Sequence, residues 1–171
     1  MTSLIGKTCN SSLSKKQIVK KLLRIAQRGS VGHLKQAVEE YAVHFLNSEI
    51  CKTLSHNGET LLHRAVYSDN IDVVKYLVNE KKMNVNERNN QMKTPLHIAA
   101  AHNSIKSVIF LVKEGKANPS AVRTFSWTPL MYAASRGHIE VVKILVEQNV
   151  NIEDINKENM TALYLAAREG W

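Results

Sequence analysis

Four stretches of this chain repeat one pattern at a fixed interval, and that recurrence limits the possible folds more than any single motif does. They are Thr60-Leu61-Leu62-His63-Arg64-Ala65-Val66, Thr94-Pro95-Leu96-His97-Ile98-Ala99-Ala100, Thr128-Pro129-Leu130-Met131-Tyr132-Ala133-Ala134 and Thr161-Ala162-Leu163-Tyr164-Leu165-Ala166-Ala167. Their threonines stand 34, 34 and 33 residues apart. Behind each of the first three lies a second apolar stretch, beginning at Ile71, Ile105 and Ile139, again at an interval of 34. A period of this length marks a stack of like units, because one unit cannot bury its own apolar face and leans on the next.

Each unit reads as two short helices. Thr94 is placed to cap the first, and Pro95 occupies the opening turn, where a missing N–H costs nothing. Leu96, Ala99 and Ala100 share one helical face, and the small alanines admit a neighbouring helix. In the second helix, Ile139, Val142, Leu145 and Val146 form an apolar stripe at helical spacing. Asp69, Asn103, Gly137 and Gly170 fall at the turn between helices, a choice that suits a left-handed backbone. Segments such as Asn118 to Trp127 are expected to form projecting hairpins. The second and third units carry one extra residue before this loop, near Met83 and Lys116.

Upstream, Leu22, Ile25, Ala26 and Gly29 fit a first helix, and Val31, Leu34, Ala37 and Val38 a second. Ser14 and Gln17 form a capping box ahead of them. At the other end the fifth unit stops at Gly170-Trp171, where its second helix is expected. That ending reads as a truncated unit of a longer protein, with the half unit as the least stable part.

The pattern resembles the ankyrin repeat, whose hallmark is T-P-L-H-x-A-A, a Gly-His turn, and V-V-x-x-L-L. The resemblance covers residues 57–171 clearly and 15–56 more weakly. It implies an all-α solenoid of stacked helix-turn-helix units with short β-hairpin loops. On that register, 1–14 is a flexible arm and 15–56 a degenerate capping repeat. Repeats follow at 57–90, 91–124 and 125–157, and 158–171 is a truncated repeat.

Charge narrows the function. The net charge of +8 would suggest a nucleic-acid binder, but residues 1–38 carry eight Lys/Arg and no Asp/Glu, while the remainder holds fifteen of each. The excess is therefore a basic N-terminal segment on a neutral body. Within it Lys16, Lys20, Arg24 and Arg28 are spaced by four and share a helix face. Three readings of that face stand: a solvated cap, a contact for an acidic partner, RNA or anionic lipid, and a targeting peptide. The last is opposed by Leu22, Ile25 and Ala26, which the first unit needs.

Nothing in the chain signals an enzyme. No H-E-x-x-H, zinc-spaced Cys/His set, G-x-S-x-G or P-loop occurs. His63 and His97 sit at the motif histidine, where a packed, hydrogen-bonded role is expected, and Met131 and Tyr164 replace histidine in the other units. No metal or cofactor site is expected, and no apolar run is long enough to span a membrane. Cys9 and Cys51 suit free thiols in a reducing compartment better than a structural disulfide.

The expected function is that of a scaffold or adaptor binding a folded protein. In the family, loop tips and exposed positions of the first helices carry binding, on a concave surface. The matching positions are Arg88, Met92, Arg123, Phe125 and Trp127 in the loops, with Arg64, Tyr67, Ile98, His102, Tyr132 and Arg136 on the helices. Packing on a neighbouring hairpin would equally account for Phe125 and Trp127. The alternative function is a nucleic-acid or anionic membrane-surface binder acting through the basic helix. Gly58 to Val66, Trp127 to Met131, Ala166 to Gly170 and Leu23 to Gly29 are also similar to a group of adaptors within the family. That resemblance implies a soluble intracellular protein, cytoplasmic and/or nuclear, with an aminoacyl-tRNA synthetase as partner.

Overall fold

The computed structural model describes residues 13–41 and 55–171. Nearly all of the expected 1–14 arm and both cysteines lie outside the described residues. The helices are α1 (Lys15–Arg28), α2 (Val31–Tyr41), α3 (Leu61–Tyr67), α4 (Ile71–Lys75, continued by a π-helical turn, Tyr76–Glu80), α5 (Pro95–Ala101), α6 (Ile105–Lys113), α7 (Pro129–Ser135), α8 (Ile139–Val146) and α9 (Ala162–Glu169). Among the described residues there is no strand, so the all-α reading holds.

The first helices stack in one row, α1 on α3, α3 on α5, α5 on α7 and α7 on α9, and the second helices in another, α2 on α4, α4 on α6 and α6 on α8. The small residues make this stacking possible: Ala65, Ala99 and Ala133 are fully buried. A side chain longer than a methyl at those alanines would push the neighbouring helix away.

Local chemistry sets the helix ends. Thr60 accepts from the His63 amide and Thr128 from the Met131 amide, and Ser14 with Gln17 completes a capping box. The turn residues Asp69, Asn103, Gly137 and Gly170 have φ of 53°, 54°, 66° and 82°, the left-handed backbone their identities favour. The extra residue of the second and third units is absorbed at the end of the second helix. There Lys81 N–H donates to the Tyr76 carbonyl and Gly115 N–H to that of Phe110, each five residues back. That widened π-type turn takes up one residue without moving the loop beyond it.

The stripe expected on α8 needs correction. Val141 and Leu145 are fully buried, whereas Ile139 is 65% exposed and Val146 44%. The counterparts of Ile139 and Val146 in α4 and α6 are half-buried, with another second helix stacked beyond them. No described helix lies against that side of α8. The same geometry leaves Leu163 79% exposed, while its counterparts Leu62 and Leu96 are fully buried.

Candidate functional site

The loops between units follow one pattern, broken once. The residue five positions before each repeat threonine heads the loop: Ser55, Asn89, Arg123 and Asn156. Ser55 Oγ, Asn89 Oδ1 and Asn156 Oδ1 each accept from the amides two and four residues on, at 2.8–3.2 Å. The Arg123 side chain has no acceptor and cannot hold the loop this way. Residues Thr124–Ser126 instead form a 3-10 turn with Phe125 at φ 66°, a left-handed conformation that Asn57, Gln91 and Glu158 do not adopt at the equivalent place. For an aromatic residue that conformation costs about 1–2 kcal/mol. It leaves the Phe125 ring 56% exposed. The loop is held from both sides, Thr124 N–H donating to the Gln91 carbonyl and Lys157 N–H to that of Phe125.

Relieved of turn duty, the Arg123 guanidinium lies over a group of rings. Its central carbon is 5.3 Å from the centre of Tyr132, 5.5 Å from Trp127 and 6.0 Å from Phe125. Lys93 Nζ also lies 5.3 Å from the centre of Tyr132. Trp127 and Tyr132 pack with centroids 5.0 Å apart and planes tilted by 49°, and His97 meets Tyr132 edge-on at 6.1 Å. Cations over aromatic faces are attracted to the ring quadrupole. Among the described residues, Arg123 Nε is buried without a hydrogen-bond partner, and no carboxylate pairs with Lys93, Arg123 or Arg136.

Ionisation records the local charge. Burial, then Arg123 and Arg136, push the Lys93 ammonium below its ordinary value. The imidazole of His102 is pushed down by burial first and then by Arg136 and Lys93. The Tyr132 hydroxyl is pushed up by burial, against the opposing pull of Arg123 and Arg136. The face made by these loops and first helices is thus an electropositive, aromatic one.

The other expected positions sort by what they touch. Arg88 Nη1 donates to the Met92 and Val122 carbonyls and ties adjacent loops together. Arg64 is engaged by Glu59 at 3.1 Å. Tyr67 and His102 pair across units with ring centroids 4.0 Å apart. Arg136 is exposed and Nη1 donates to the Ala101 carbonyl at 2.6 Å. Met92 is 46% exposed. Two positions differ from expectation: Ile98 is only 6% exposed and Tyr132 only 7%, the latter covered by Lys93, Arg123 and Trp127. Sequence reasoning missed Lys93, which stands directly before its repeat threonine just as Trp127 does; that register was the signal that could have found it.

His63 and His97 are structural and clip units together. In each, Nδ1 faces the capping threonine's amide at 3.2 Å and hydroxyl at 2.9 Å, and Nε2 meets the Lys93 or Trp127 carbonyl of the next unit at 3.1 Å. Burial pushes both imidazoles down, that of His97 to about 4.

Lys16, Lys20, Arg24 and Arg28 are all exposed on α1 and, with His56 and Arg64, line a groove of about 1140 Å³. Among the described residues no group of His, Cys, Asp and Glu is arranged to hold a metal ion, and no helix is long and apolar enough to cross a membrane.

A family model described as ankyrin repeats (3 copies) matches residues 12–122 and 115–170. No curated protein matches the chain.

Proposed function

The chain belongs to the ankyrin-repeat family, and from that footing we propose that it is an adaptor that binds a folded protein through the face formed by its first helices and loop tips. Ankyrin repeats generally mediate protein–protein interaction. The observation that carries the reading to a particular place is the one irregular loop. Phe125 is held in a costly left-handed conformation and more than half exposed, beside Arg123, Trp127 and Tyr132. Strained backbone that displays a large ring to solvent is a feature of binding sites, and Arg, Trp and Tyr are the residues enriched in interface hot spots. Phe125 and Arg136 are the proposed contacts, with Trp127 and Tyr132 as their support, and Arg64, Tyr67, Arg88, Met92 and His102 as the surround. Proposed with this is an intracellular location, cytoplasmic and/or nuclear. The stretches Gly58 to Val66 and Leu23 to Gly29 resemble ankyrin repeat domain-containing protein sixteen, which points to an aminoacyl-tRNA synthetase as one partner to test.

Affinity capture with the full chain as bait tests the reading. Phe125→Ala and Arg136→Ala are expected to reduce the captured partner at least tenfold while the melting temperature stays put. The competing reading, nucleic acid or anionic lipid on α1, is favoured by the groove beside Lys16, Lys20, Arg24 and Arg28. Retention of the partner by both alanine variants, with its loss in Lys20→Glu/Arg24→Glu, would replace the first reading with the second.

A further inference from the structure

We infer that the partner presents an acidic segment with apolar residues beside its carboxylates, seated across Lys93, Arg123 and Arg136. The inference rests on the proposed binding face and specifies its ligand. Three cations converge there from three places in the chain: Lys93 from the loop before α5, Arg123 from the loop before α7, and Arg136 from the end of α7. Lys93 and Arg123 share one ring, Tyr132, each 5.3 Å from its centre. Among the described residues no carboxylate forms an ion pair with any of the three; Glu59, whose charge is felt at Lys93, is itself paired with Arg64, as Lys35 is with Glu80. Like charges held close together without an ion-pair partner repel one another, and Arg123 and Arg136 outweigh Glu59 at Lys93. A partner supplying carboxylates would relieve that repulsion, and Arg would bind them in the forked geometry that suits it.

The apolar part distinguishes a protein from a nucleic acid. Next to Lys93 and Arg123 along the chain the surface exposes Phe125 at 56%, Met92 at 46% and Val122 at 45%. A phosphate backbone has nothing to bury against such apolar groups, whereas a peptide alternating acidic and apolar residues matches them. Base stacking, the usual use of rings beside cations, has one well-exposed ring to work with here, Phe125. Tyr132 is buried, and Trp127 packs against it beneath Arg123.

The test uses the full chain and a displayed library of random twelve-residue peptides. Selected peptides are expected to be enriched at least twofold in Asp and Glu adjacent to Leu, Ile, Met or Phe. Synthetic copies of the winners should bind the Lys93→Glu/Arg136→Glu chain at least tenfold more weakly, and the Lys93→Gln/Arg136→Gln chain with an intermediate loss. Twins of the winners with every Glu and Asp changed to Gln and Asn should lose binding likewise. Circular dichroism melts verify that each variant is folded, and the Gln pair, which adds no new repulsion, serves if the Glu pair is not. Selection of neutral or basic peptides, of no peptide, or of peptides displaced by an equimolar uridine oligonucleotide would overturn the inference. If peptides of another composition are selected and still depend on Phe125, the binding face stands and only its acidic ligand falls. Loss of the Phe125 dependence as well removes both.

Discussion

His97 makes the stack acid-labile in a way that can be worked out from its contacts. The ring is fully buried. Its Nδ1 accepts from the Thr94 amide, so Nε2 carries the proton that is donated to the Trp127 carbonyl. Protonating Nδ1 would set an N–H against the Thr94 N–H inside the core, which agrees with a folded-state pKa lowered from 6.5 to about 4, chiefly by burial. A group whose folded pKa is depressed holds fewer protons folded than unfolded. For histidine, the stability is therefore fully present above the unfolded value near 6.5 and is lost as pH falls from there toward 4. With those two values the loss between pH 7 and pH 4.5 is on the order of 2 kcal/mol from this residue. The assay is urea unfolding at both pH values for the parent chain and His97→Met, which copies Met131 from the next unit. The variant should be less stable at pH 7, having lost both clips, but its further loss on acidification should be smaller than the parent's by about 2 kcal/mol. Identical pH dependences in the two chains, or an imidazole titrating near 6.5 by NMR, would refute the reasoning.

Three further outcomes follow from packing and backbone conformation. Ala99→Leu should destabilise by roughly 1–3 kcal/mol, since Ala99 is fully buried between rows; an unchanged melting temperature would show that this face is not packed. Equivalent leucines should differ sharply: Leu96→Ala costs about 2–5 kcal/mol in urea unfolding, and Leu163→Ala stays within about 0.5 kcal/mol, because one is fully buried and the other 79% exposed. Met92→Gly should raise stability by about 1 kcal/mol, because Met92 has φ 60° where the equivalent position of the preceding loop holds Gly58; a lower melting temperature would contradict this.

Periodicity made the stack legible because every unit repeats the same solution to the same packing problem, and a shift of one residue would have misplaced all the alanines at once. Asp69 and Asn103 announced the left-handed turn through side chains that tolerate it. The stripe on α8 was misjudged for a physical reason: Ile139 and Val146 are apolar at helical spacing, yet burial depends on what stacks against them, which spacing does not contain. Ile98 and Tyr132 escaped the expectation of exposure in the same way. The cation cluster was only half legible. Arg123 and Arg136 were singled out, but the convergence of Arg123 with Lys93 on one ring depends on the loop that Arg123 reshapes by lacking an acceptor. That departure from Ser55, Asn89 and Asn156 is visible in the alignment of the units, though its structural consequence is not.

The central claim is that partners engage the loop-and-first-helix face around Phe125, and hydroxyl-radical footprinting of the full chain with its captured partner tests it most directly. Oxidation of Phe125 and Met92, both well exposed in the free chain, should fall severalfold in the complex, while that of Leu13, beside the basic helix, and of Leu163 at the far end should not change. Protection confined to Leu13 and its neighbours on α1, with Phe125 and Met92 oxidised as in the free chain, would contradict the account.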